Sequence, residues 1–170
     1  VIASRACGVF TIPTPEFGIP AVETLDVGIA TIPAPTQSPP TLIPVNTLGI
    51  AGAGLARQWA LQYPDEHHLY GVVCKDKRFN IGEVLPVIST PNRLFLCFPT
   101  KIIPHKRSEL VWIEAGFPDL VRLVSTLQIK SLTLPALGCG LGGLPWRDIQ
   151  PLIEKYLGNL QIPVRVYLPK

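Results

Sequence analysis

The sequence predicts an α/β fold, one sheet covered on both faces by helices. From residue 41 onward, short apolar runs of strand length alternate with amphipathic stretches of helix length, the pattern of strands buried on both sides. Two strand-to-helix junctions are rich in glycine, at residues 46–56 and 138–143. The chain has 170 residues, 47% hydrophobic and 16% charged, which suits one domain with a sizeable core and carries too little charge for a disordered chain.

Residues 41–46 read as a buried strand running into a loop, and 54–63 as a helix stopped by Pro64. The following Asp65-Glu66-His67-His68 reads as a solvated turn at the helix end. Residues 84–89 and 94–98 are strand-length apolar runs separated by Thr90-Pro91-Asn92, which predicts a hairpin. In 108–128, Leu110, Ile113, Phe117, Leu120, Val121, Val124 and Leu127 recur at spacings of three and four, the mark of an amphipathic helix. Pro118 falls inside it and is expected to kink or split it. A strand over 131–137, a helix over 146–157 ended by Gly158, and a last strand over 164–168 complete the alternation. Trp59, Trp112 and Trp146 fit the apolar faces of their helices and read as core.

Residues 1–40 form a Pro-rich arm ahead of the domain at 41–170. They hold seven of the 19 prolines and a short repeat, Gly8-Val9-Phe10-Thr11-Ile12-Pro13-Thr14-Pro15 returning as Gly28-Ile29-Ala30-Thr31-Ile32-Pro33-Ala34-Pro35. Each copy reads as an extended segment ended by X-Pro-X-Pro. Val9, Phe10, Ile12, Phe17, Ile19, Val22, Leu25 and Val27 are unlike a polar linker and call for burial, either on the same domain or on a neighbouring copy or larger assembly.

Charge and cysteines narrow the class. The net charge is +3, but residues 1–45 carry −2, so the rest carries +5. That mild excess suits an anionic ligand such as phosphate and does not by itself predict nucleic-acid binding. Cys7, Cys74, Cys97 and Cys139 are scattered with no metal-ligand spacing, so reduced thiols in a cytoplasmic, intracellular setting are expected, with no metal and no cofactor. Every apolar run is interrupted before it reaches membrane-spanning length, and the first residues lack the basic-then-apolar order of a signal peptide.

The glycine-rich junctions point to a nucleotide diphosphate. Glycine lets backbone N–H groups approach a ligand, and a helix N-terminus adds unpaired donors and a dipole that favours anions. The first junction matches neither the dinucleotide fingerprint nor a P-loop, since no Lys-Ser/Thr pair follows the glycines.

The flanking residues carry a family resemblance. Val45-Asn46-Thr47-x-Gly49-Ile50-x-Gly52-x-Gly54-Leu55-Ala56 resembles the first ligand loop of macro domains. Phe98-Pro99-Thr100-Lys101, then Ser108 and Ile113-Glu114-Ala115-Gly116, resembles the central segment of the branch containing DNA ADP-ribosyl glycohydrolases. Leu134-Pro135-Ala136-Leu137-Gly138-Cys139-Gly140-Leu141-Gly142-Gly143-Leu144-x-Trp146 is similar to that branch's second loop. The resemblance implies a three-layer α/β/α sandwich with a mixed central sheet and ADP-ribose in a cleft across its top. It implies that Asn46 bonds the distal ribose, that Thr47, Gly49, Ile50, Gly52, Gly54 and Leu55 line that ribose and the nearby phosphate, and that Gly138, Cys139, Gly140, Leu141 and Gly142 wrap the diphosphate. Lys101 takes the position of the branch's catalytic lysine, and attack by it requires the neutral amine.

The chain departs from the family at Ala53, at Ile102-Ile103-Pro104-His105, at Gly142 and Pro145, and in lacking the Gly-Asp strand that opens many members. Three readings therefore stand: an ADP-ribosyl glycohydrolase acting on nucleic acid (single-stranded) or protein, an assembly protein such as a virus-particle component reusing the fold, and an ADP-ribose reader without turnover.

Overall fold

A computed structural model describes residues 9–12, 38–90 and 92–168 of the chain. Among them the elements run β1 (Val9–Ile12), β2 (Thr41–Asn46), α1 (Gly54–Gln62), α2 (Pro64–Lys75), β3 (Leu85–Thr90), β4 (Arg93–Lys101), α3 (Leu110–Thr126), β5 (Leu132–Pro135), α4 (Trp146–Leu157) and β6 (Val164–Tyr167). The strands form one mixed sheet in the order β1-β6-β5-β2-β4-β3. The inner strands β6, β5, β2 and β4 are parallel, and β1 and β3 close the edges antiparallel.

Alternation along the inner strands feeds two cores, one on each face. Leu42, Leu96, Phe98, Leu132, Leu134, Val164 and Val166 face α3 and α4, where Ile113, Phe117, Leu120, Ile149 and Ile153 cover them. Ile43, Val45, Phe95 and Cys97 face the other way, against Trp59 of α1 and Tyr70 and Cys74 of α2. The result is the predicted three-layer α/β/α sandwich. Of the tryptophans read as core, Trp59 is fully buried, while Trp112 and Trp146 are half-buried.

The predicted strands and helices from residue 41 are all present, and β3 and β4 form the predicted hairpin. Two local expectations are corrected. The chain does not turn into solvent after Pro64, because Pro64 opens α2. At the first helical position its missing N–H costs nothing and its φ is preset, while Asp65 and Glu66 in the first turn and Lys75 in the last match the helix dipole. Pro118 does not split α3, which runs through it from Leu110 to Thr126. Pro118 is exposed, and the packing of Ile113, Phe117, Leu120 and Val124 outweighs one lost backbone bond. In the arm, the first repeat copy supplies β1, which pairs with β6 from Val9↔Tyr167 to Ile12↔Val164. The second copy, residues 28–35, lies outside the described residues.

The arm's described residues run along β6 and reach the turn before β4. Ile12 is opposite Val164, the first residue of β6. Ser38 donates its N–H to the Asn92 carbonyl, at the turn before β4.

Candidate functional site

A cleft of about 860 Å³ opens at the C-terminal ends of the parallel strands. Asn46 ends β2, Lys101 ends β4, Pro135 ends β5 and Tyr167 ends β6, and all four line it. The strand order reverses here. The chain leaves β2 for β4 on one side and later returns to β5 on the other, the place where open α/β sheets bind ligands.

The first loop follows β2. The register shifts between Val45 and Asn46, so that Asn46 pairs with Lys101 and Thr100 is the extra residue on β4. Its Oδ1 accepts from the Leu48 N–H (3.0 Å) and the Ile50 N–H (3.3 Å), and its Nδ2 donates to the Ile50 carbonyl. One side chain thus closes the turn, leaving a second amide N–H on Nδ2. Gly49 supplies the positive φ of 77° that this turn needs. The loop ends at α1, whose N-cap Ala53 offers no side-chain cap and whose first turn has no acidic residue. The first-turn N–H groups of Gly54, Leu55 and Ala56 therefore have no intrahelical acceptor, and these residues line the cleft.

The second loop follows β5 and is held by backbone turns: Cys139 N–H to Ala136 O, Gly143 N–H to Gly140 O, and Leu144 N–H to Gly138 O. Ser108 sits behind it and donates its N–H to Gly142 O at 3.0 Å. A Cβ on Gly142 would lie 2.3 Å from Gly138 O and 2.5 Å from Ser108 Oγ, so no carboxylate side chain has room at this position. The N–H groups of Gly140, Leu141 and Gly142 donate to no backbone carbonyl among the described residues.

Gly52 and Gly140 differ from these glycines. Both line the cleft, neither has a positive φ, and a Cβ on either would meet nothing within 4 Å. The packing of the described residues does not require glycine there.

Lys101 joins the two sides. Its Nζ donates to Leu141 O (2.7 Å) and Pro104 O (3.3 Å), and burial pushes its pKa below the ordinary lysine value. The Leu141 side chain lies 3.4 Å from where a Cβ of Gly54 would sit, so the loops meet beside this lysine. His105 also lines the cleft, and no Asp or Glu does among the described residues.

Of the residues singled out in the sequence, Asn46, Ile50, Gly52, Gly54, Leu55, Lys101, Gly138, Gly140, Leu141 and Gly142 line this cleft. Thr47, Gly49 and Cys139 are not among its lining residues. Thr47 donates its N–H to Lys101 O at 3.1 Å, Gly49 packs on Gly71 and Cys74 of α2, and the Cys139 thiol turns back to Leu137 O. The sequence reading missed Pro44, Gln58, Pro135, Ala136, Tyr167 and Leu168. Pro135 and Tyr167 were findable as strand C-termini. α4 starts at Trp146, beyond the lining residues, so of the two loop-to-helix N-termini only that of α1 opens into the cleft.

The sandwich with this cleft defines a class. Residues 44–153 match the model of the macro domain family, and the chain belongs to that family. It is 38% identical, over 75% of its length, to a DNA ADP-ribosyl transferase–DNA ADP-ribosyl glycohydrolase fusion protein of Thermosipho africanus. It is 35% identical, over 74% of its length, to a DNA ADP-ribosyl glycohydrolase of Thermus aquaticus. The chain spans 37% and 36% of these relatives' lengths. Among solved structures, Thermosipho africanus DarTG in complex with ADP-ribose superposes with a TM-score of 0.70 at 38% identity, over 76% of this chain and 37% of that one. The macrodomain of Mycobacterium tuberculosis DarG gives 0.73 at 30% identity, over 86% and 97%.

Proposed function

We propose that this domain binds ADP-ribose in the cleft and removes it from an ADP-ribosylated macromolecule, single-stranded DNA being the first substrate to try, with Lys101 as the catalytic group. The observation that carries the binding half is the pair Gly52 and Gly140, glycines on opposite loops that the packing of the described residues does not need. Space kept clear on both sides, beside N–H groups with no protein acceptor, suits a ligand backbone carrying anionic oxygens. The spare Asn46 N–H suits a ribose hydroxyl, the α1 N-terminus one phosphate, and the Gly140–Leu141–Gly142 amides the other. The names of the relatives, and the ADP-ribose bound to one of them, support the same ligand.

Hydrolysis rests on Lys101. Its neutral amine attacks the anomeric carbon of the distal ribose, the bond to the macromolecule breaks, and the leaving group takes a proton. Water then releases ADP-ribose from the enzyme. Burial favours the neutral amine, whereas the carbonyls of Leu141 and Pro104 favour the ammonium. Access to the anomeric carbon requires Lys101 to leave at least the Leu141 carbonyl. A second reading, an ADP-ribose reader without turnover, is favoured by the lack of any carboxylate among the described lining residues.

Calorimetric titration with ADP-ribose, followed by a release assay on ADP-ribosylated single-stranded DNA, separates the two. Binding with release supports the hydrolase, binding without release leaves the reader, and no binding at millimolar ligand removes both.

A further inference from the structure

Helix α2 contributes no residue to the cleft lining, yet it holds the first loop in shape at two points. Tyr70 is fully buried, and its hydroxyl donates to the main-chain carbonyl of Asn46, at the register shift between β2 and β4. Cys74, one helical turn further on, packs against Gly49. Tyr70 and Cys74 therefore reach both ends of the turn that the Asn46 side chain closes.

Burial pushes both Tyr70 and Cys74 above their ordinary pKa values, so both remain protonated donors. The backbones are also in contact. A Cβ on Gly49 would lie 3.2 Å from Gly71 Cα and 3.2 Å from Cys74 Cβ. Without the Tyr70 hydroxyl, the Asn46 carbonyl would be buried with no side-chain donor, a cost a short loop can relieve by shifting.

We propose that Tyr70, seconded by Cys74, is a positioning residue that sets where the Asn46 side chain presents its remaining amide N–H to the ligand. This rests on the reading of the cleft as an ADP-ribose site.

The test is Tyr70→Phe, which removes one oxygen from a packed ring, with Tyr63→Phe as a control outside the cleft. Amide hydrogen exchange at Leu48 and Ile50, the two N–H groups held by Asn46 Oδ1, needs no ligand. Tyr70→Phe is expected to speed exchange there while leaving the inner strand amides of β4 unchanged. ADP-ribose affinity is expected to fall roughly three- to tenfold, the worth of one well-placed hydrogen bond, and Tyr63→Phe to match the parent protein. A lower Tm with unchanged exchange at Leu48 and Ile50 overturns the proposal, leaving Tyr70 a packing residue. If the parent protein does not bind ADP-ribose, the functional reading fails, while the exchange measurement still decides whether the brace exists.

Discussion

The two loops face each other across one cleft but are built by different means. The first is closed by a single buried side chain, Asn46, which satisfies three backbone groups of its own loop. The second is closed by backbone turns and by two cations, Lys101 at the end of β4 to Leu141 O and Arg107 beyond it to Gly143 O, each at 2.7 Å. A loop tied by buried neutral bonds keeps its shape whatever arrives. A loop tied partly by exposed charges is weakly held, since such contacts are screened by water and salt. The first loop is therefore the fixed wall, and the second is the one ligand arrival can reset. Lys101 belongs to the brace and, in the proposed mechanism, to the chemistry as well.

The largest effect that bears on this contrast is Lys101→Ala. Release of ADP-ribose should fall on the order of a hundredfold or more, as for loss of a reacting group, while calorimetric affinity changes little. Full activity in the variant would remove Lys101 from the mechanism. The pH profile sharpens the same point. In the proposed mechanism the active form is the neutral amine, and burial lowers its pKa. The rate should thus rise with pH from neutrality and level off below the ordinary lysine value of about 10.4. A rate that falls with pH would make the ammonium the working form.

Next is Gly142→Ala, which forces a methyl into a 2.3 Å contact with Gly138 O. Thermal melting should show a loss of about 1–3 kcal/mol, the cost of overpacking. The smallest effect is Arg107→Ala. It removes an exposed contact to Gly143, so Tm should hardly move, the pair being worth under about 1 kcal/mol. The salt dependence of ADP-ribose binding should decrease. An equal loss of stability from Arg107→Ala and Gly142→Ala would erase the distinction between backbone and cation bracing.

The strands, the hairpin and α4 were legible because their apolar periods are undisturbed. Residues 41–46 and 146–157 match β2 and α4 end to end. α2 is hard to read because exposed Leu69 and Val72 stand beside buried Tyr70 and Cys74 and blur its apolar stripe, and because a proline such as Pro64 can mark either a stop or a start. Pro-Asp-Glu at the head and Lys75 at the tail were the available signals. The loops were legible as glycine-rich junctions, but the reason for each glycine was not. Gly49 and Gly138 are fixed by positive φ, Gly142 by contact with Gly138 and Ser108, and Gly116 by Phe98, whose ring would lie 2.4 Å from a Cβ there. Spacing alone does not separate these from Gly52 and Gly140, because the difference lies in three-dimensional neighbours.

Gly52 and Gly140 therefore carry the most direct test of a cleft kept open for ADP-ribose. Gly52→Leu and Gly140→Leu fill space in which a Cβ has no protein neighbour within 4 Å. The measurement is ADP-ribose affinity by calorimetry beside Tm for each variant. The account predicts a Tm within a few degrees of the parent, since a surface change costs about 0.5 kcal/mol or less, and affinity lower by about tenfold or more, as for a steric block of a fitted ligand. Unchanged affinity in both variants would contradict it.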